Sequence, residues 1–450
     1  MTTALLDPNP HTAAVTPSEP EARRPAAGGR VAAIDIARGV ALLGMFTVHV
    51  PSMAERPNGA WDWILEAPSG RAAVLFFMLS GVSLSLISRK GSRSAEPSVL
   101  VARGAVLLLF GLVMTQFWFG SSILVQYGLV FLVAPWLFRR SARTLLALAA
   151  GTLLVGPVVV EVLGINASSW ISTHAEITTG WLGQTIASAF LSTHALVVWL
   201  GFFCIGLLVG RADLTRRRNA ARTLGIGLAL GAAATVGILS TDHLVETYDD
   251  ESFYDKGFYD KGFSDADGLG AGSDVSGLAA DGSLGLDGEG SAFASSFPTS
   301  GSFVSGSDFD SGSFFMDGGS MPFEWTDPVW SNLLSGESHS NMTPWALQSA
   351  GIALAVIGLP ALLPGAVTRL LSPLGALGSI SLTAYVFHPV LVQDVWTWTD
   401  PISASFTWEI VRLAIAMALL VALGWVVKRR WKQGPLEWAL HRLSAPSARP

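Results

Sequence analysis

Three side chains in the otherwise apolar stretch RVAAIDIARGVALLGMFTVHV, residues 30–50, are of the types that move protons and hold anions: Asp35, Arg38 and His49. Charged groups at bilayer depth are costly and face a bundle interior or a water-filled cavity rather than lipid. At about 100° per residue, the steps from Arg38 to His49 leave these two about 20° apart around a helix, with Asp35 about 60° from Arg38. One face therefore carries all three, with Leu42 and Met45 between them. His49 stands about 16 Å further along the axis than Arg38. The spacing predicts a hydrated tunnel shared by the imidazole and the guanidinium. An imidazole takes up a proton near neutral pH and is the commonest general base. The Asp35–Arg38 pair at i, i+3 either neutralises itself at the headgroup layer or lets Asp35 orient Arg38.

Two further stretches carry candidate chemistry. In GRAAVLFFMLSGVSLSL, residues 70–86, Gly81 and Ser85 form a small-xxx-small pair suited to close helix approach. Arg71 opens that segment from the side that disfavours positive charge; it either snorkels to lipid phosphate or turns towards His49 and holds an anionic group. In LGSISLTAYVFHPVLVQD, Ser381, Tyr385 and His388 follow i, i+4, i+7 and form a polar stripe. Pro389 frees the backbone carbonyl one turn earlier, at Tyr385. Gln348, and His339 with Ser340, are weaker candidates, while His174 and His194 read as interfacial. No His, Cys and carboxylate set has metal-ligand spacing, so no metal is expected. No nucleophile-elbow or phosphate-loop motif is present. The lone Cys204 excludes an intrachain disulfide and reads as packing.

The elements that must position these residues are read from composition. Half of the 450 residues are hydrophobic, 14% are charged and the mean hydropathy is +0.47, with the apolar residues in long runs. About 20 residues per crossing gives roughly ten spans, near 31–53, 70–88, 99–119, 121–138, 144–164, 186–210, 221–240, 344–364, 374–396 and 407–427. Lys and Arg concentrate in alternate connections, including Arg89, Arg139, Arg140, Arg211, Arg217, Lys428 and Arg429. By the positive-inside trend both termini are then cytoplasmic. Residues 1–29 read as a disordered cytoplasmic tail, 30–240 as helices 1–7, 241–342 as an acidic Gly/Ser/Asp-rich disordered external loop, 343–433 as helices 8–10 and 434–450 as a second cytoplasmic tail. The expected fold is thus an all-α polytopic membrane bundle. Nothing resembles a nucleic-acid surface, and an oligomer is compatible with the sequence.

The stretch DIARGVALLGMFTVH resembles the first helix of the transmembrane acyltransferase superfamily, in which Asp-x-x-Arg-Gly precedes a histidine, and FFMLSG resembles its second-helix signature. VVWLGFFCIGLLVGRADL, ESHSNMTPWALQSAGIALAVIGL, GSISLTAYVFHPV and RRWKQGPLEWALHRLS are similar to a bacterial branch described as heparan-alpha-glucosaminide N-acetyltransferase-like or as a domain of unknown function. The resemblance implies a multi-pass protein of the bacterial cytoplasmic membrane. It also implies acetyl-CoA or another acyl-CoA as cytosolic donor, an extracytoplasmic glycan or lipid-linked envelope acceptor, and a histidine that activates the acceptor. Arg38 and His49 fall on the motif's Arg and His. On that basis His49, Arg38 and Asp35 are the expected catalytic set, with Arg38, Arg71, Tyr385 and His388 binding the donor or the developing oxyanion. The Arg-x-x-Arg of many acyltransferases at helix three is missing, with only Arg103 nearby, and the external loop RPNGAWDWILEAPSG holds no histidine. A transporter or lipid-handling protein with the same bundle is the alternative.

Overall fold

The computed structural model describes residues 28–49, 59–89, 95–114, 122–173, 194–246, 330–399, 406–431 and 433–444, and among these the chain is helical with no strand. Before the insert come α1 (Gly28–Val48), α2 (Gly59–Glu66), α3 (Arg71–Arg89), α4 (Pro97–Met114), α5 (Ile123–Leu137), α6 (Ala142–Thr173), α7 (Leu196–Arg211) and α8 (Arg217–Glu246). After it come α9 (Thr343–Gly358), α10 (Gly365–Leu370), α11 (Ser372–Ser379), α12 (Ser381–Thr399), α13 (Phe406–Trp431) and α14 (Pro435–Leu443). Residues 1–27 of the expected tail, 247–329 of the expected external loop, and His174 lie outside the described residues.

Six segments are long and apolar enough to cross a membrane alone: Ile64–Arg89, Pro97–Met114, Ala142–Val162, Arg217–Thr241, Thr343–Ala361 and Phe406–Trp431. α11 and the first part of α12 (Ser381–Leu391), bent by 94° with respect to each other, are long and apolar enough only when taken together, as a broken span or a re-entrant pair. α5 and α7 are apolar but shorter. Among the described residues, six or at most seven of the ten expected spans are thus long and apolar enough by themselves, and α1, α5 and α7 are not. The protein is a multi-pass membrane helix bundle.

Lipid offers no hydrophobic drive between helices, so close packing of small residues must supply the contact. A Cβ on Gly206 of α7 would strike the backbone of Met78 in α3, and Ser85 donates its hydroxyl to the Leu207 carbonyl at 2.8 Å. On the other side of the bundle, Gly378 of α11 lies against the backbone of Asp35 and Gly39 in α1. Phe77, Trp199, Phe202, Phe203 and Trp345 are fully buried and join α3, α7 and α9. Leu146, Leu154 and Val155 of α6, and Ile226, Val236 and Leu239 of α8, stay exposed, as lipid-facing side chains must.

Arg89 and Arg211 meet at one end of the bundle. Arg89 donates to the Arg211 carbonyl at 3.2 Å, and Arg211 donates to those of Phe138 and Arg140 at 2.9 and 2.7 Å. The C-terminal ends of α5 and α7 thus carry guanidinium caps, supplied by Arg211 and by Arg89 at the end of α3, which suits the negative end of a helix.

Candidate functional site

At the other end of the bundle α1 meets α12. Nδ1 of His49 lies 2.9 Å from Nε2 of His388, and the ring centroids are 4.9 Å apart. Nδ1 of His388 lies 2.5 Å from the carbonyl oxygen of Tyr385. That carbonyl is available because Pro389 has no amide hydrogen to donate to it. A carbonyl only accepts, so the network assigns the hydrogen of neutral His388 to Nδ1. Its Nε2 is then an acceptor for Nδ1–H of His49, whose ring also has the Met45 carbonyl as a hydrogen-bond partner, and in the neutral His49 ring that tautomer leaves the basic lone pair on Nε2. His388 is 3% exposed, which keeps water from competing for these bonds.

Arg38 and Asp35 form the ion pair expected of them, Nη1 to Oδ1 at 3.0 Å, and Arg38 also donates through Nη2 to the Ser83 hydroxyl on α3. Both charges face protein rather than lipid. The tunnel expected between Arg38 and His49 is not open. Leu42 and Met45, on the same face between them, are 3% and 4% exposed and belong to the hydrophobic core. Helical spacing places groups on one face, but it does not say whether the intervening side chains leave room.

Arg71 turns into the bundle. Its Nε and Nη2 lie 3.1 and 2.6 Å from Oε1 of Gln348. Nε2 of that amide donates to Thr235 at 2.9 Å, and Thr235 donates to the Gly231 carbonyl at 2.8 Å. This chain spans α3, α9 and α8 and fixes which way the Gln348 amide points. Beside it, the turn before α9 holds His339 at φ 67° and Asn341 at φ 60°. Asn and His are among the non-glycine residues found in the left-handed region more often than most. Trp199 Nε1 holds this turn by donating to Asn341 Oδ1 at 2.9 Å.

The His339 ring stacks on Trp345 with centroids 6.3 Å apart, and His194 approaches it at 5.8 Å. Burial, with His49 and Arg71 in electrostatic range, pushes the His339 imidazole down to about 4. Burial, followed by His339 and His49, pushes His194 down to about 3. The structure therefore brings His49, His388 and Tyr385 together, pairs Arg38 with Asp35 at a separate level, and places Arg71 with Gln348. His339 and His194, weak in the sequence, join the histidine end. The signal that could have raised His339 is the cluster Ser338, His339, Ser340, Asn341 just before α9. Among the described residues no group of three or more His, Cys, Asp or Glu is arranged to hold a metal ion.

Two family models match the chain. Residues 30–240 match the catalytic region of heparan-alpha-glucosaminide N-acetyltransferase, and residues 324–446 match a protein family of unknown function, DUF418. No curated protein and no solved structure matches it significantly. The first match spans α1 to α8, which carry Asp35, Arg38, His49 and Arg71, and the second spans α9 to α14, which carry His388. Together the two matches support a likeness to the heparan-alpha-glucosaminide N-acetyltransferase-like and DUF418 branch of acyltransferase-like membrane proteins, the first over residues 30–240 and the second over 324–446.

Proposed function

We propose that the protein transfers an acyl group from a cytosolic acyl-CoA, acetyl-CoA being the simplest, to a hydroxyl or amine of an extracytoplasmic glycan or lipid-linked envelope acceptor. The observation that carries this reading is the directed chain from the Tyr385 carbonyl through His388 to His49. It orients His49 as a base, and it lies where the two family regions meet.

His49 Nε2 takes the proton of the acceptor hydroxyl or amine as that group attacks the thioester carbonyl. The carbon–sulfur bond then breaks, and the imidazolium returns the proton to the departing thiolate. Positive charge arising on His49 spreads to His388 by movement of the shared hydrogen, and Tyr385 contributes through its carbonyl. Arg38, braced by Asp35 and Ser83, offers its charge to a donor phosphate at the end of α1 that the charge pattern assigns to the cytoplasm. Arg71, fixed by Gln348 at the histidine end, binds an anionic part of the reacting pair. Leu42 and Met45 must swing aside for the donor to reach His49.

The test is acetyl transfer, or thioester hydrolysis, by purified protein in nanodiscs. His49→Ala is expected to lower the rate by about 10²–10⁴-fold, the usual contribution of a positioned base. Equal rates would remove His49 from the mechanism. A transporter of the same fold need not bind the donor, whereas acetyl-CoA at about 100 times its Kd stabilises an enzyme by about 2.7 kcal/mol.

A further inference from the structure

The stretch GPLE at 434–437 has no part in the chemistry above, yet it is bonded to the helix that carries His388. α12 starts abruptly after the 94° bend at Ile380, and its first helical bond runs from the Ala384 amide to the Ile380 carbonyl. The Ile380 amide still donates to the Leu377 carbonyl of α11, whereas those of Leu382 and Thr383 belong to the new first turn, whose amides have no intrahelical acceptor. Glu437, in the first turn of α14, accepts them. Its Oε1 lies 2.6 Å from the Leu382 amide and 3.2 Å from the Thr383 amide, and its Oε2 accepts the Thr383 hydroxyl at 2.6 Å. Thr383 Oγ1 in turn accepts the Leu436 amide at 3.1 Å. Each helix start therefore caps the other, with a carboxylate on the positive end of α12.

The neighbouring residues fit this arrangement. A Cβ on Gly434 would run into Glu437 Oε2 and Thr383 Oγ1, so only glycine allows the approach. Pro435 takes the first helical position, where a missing amide hydrogen costs nothing. Leu436 packs on the hydrophobic core.

Tyr385 and His388 follow Thr383 within two turns of α12. A cap made by two amides and a hydroxyl fixes the rotation and height of this helix start, and with them the direction in which the His388 ring leaves it. We propose that Glu437 is a positioning residue for the histidine pair: it holds α12 in the register that lets His388 meet His49. The inference rests on the reading of His49 as the base.

The experiment uses full-length protein in nanodiscs, labelled with ¹⁵N-histidine, with His388→Gln to assign the Nδ1–H resonance of His388. Glu437→Ala is expected to shift or broaden that resonance and to lower kcat for acetyl transfer by about 10–100-fold, the effect of displacing a catalytic group by about an ångström. KM for acetyl-CoA stays unchanged, and Glu437→Gln, which keeps an acceptor oxygen, recovers most of the loss. A wild-type His388 resonance in Glu437→Ala, or a change confined to KM, overturns the proposal. If Glu437→Ala does not fold, Thr383→Ser against Thr383→Val decides. Only Val shifting the resonance supports the cap, and identical behaviour of the two overturns it. Should the wild type transfer no acyl group, the proposed function fails, while the resonance still reports on Glu437.

Discussion

Pro389 decides which nitrogen of His388 carries its hydrogen. Because proline cannot bond to the Tyr385 carbonyl, the imidazole does so, and the polarity of the whole chain to His49 follows. Pro389→Ala restores a competing amide. It is expected to leave thermal stability unchanged or raise it while lowering acyl transfer, which a paired unfolding and rate measurement on the one variant checks. His339 gives a pH prediction. Its folded value of about 4 lies below the ordinary 6.5, so between these values the unfolded chain binds a proton that the folded chain refuses. Stability is then complete above about 6.5 and falls as pH drops through the window, because the unfolded state binds more protons there. His194 acts in the same direction. Thermal unfolding midpoints at pH 7.5 and 5 are expected to differ less in His339→Gln than in wild type.

The helices themselves were legible because long apolar runs and alternating basic connections are properties of the chain alone. The polar face of α1 and the freed carbonyl at Tyr385 were legible for the same reason: both follow from helical period and from proline chemistry. The break at Ile380 was not, since 374–396 reads as one span and the bonds that terminate the turn come from Glu437 in α14. The filling of the α1 face by Leu42 and Met45 was not legible either, because a period says nothing about packing density. Two predictions belong to this scale. Gly206→Val must push α7 off the Met78 backbone and is expected to cost about 1–3 kcal/mol in unfolding, the usual penalty of overpacking. Leu42→Trp is expected to abolish acyl transfer while acetyl-CoA still stabilises the protein; an unchanged transfer rate would show that the donor takes another route.

Taken as one molecule, the protein has a guanidinium-rich end and a histidine-rich end, built from residues far apart in the chain. His49 and His388 come from separate family regions, so no local pattern could announce their contact. The buried Cys204 makes the ends testable: with the native thiol shielded, Glu337→Cys is expected to react with a membrane-impermeant maleimide added outside intact cells, and Arg140→Cys only after lysis. The close crossing of α1 and α11, where Gly378 rests on Asp35 and Gly39, makes that point a fulcrum. Beyond it about 15 Å of α1 runs to His49, braced on α3 where Gly44 meets Ala72 and by the buried Leu42, Met45 and Phe46. A tilt of about 10° there would carry the imidazole some 2.6 Å by the same helical geometry. That displacement is enough to part the two rings, so the seating of α1 on α3 is what keeps His49 within 2.9 Å of His388.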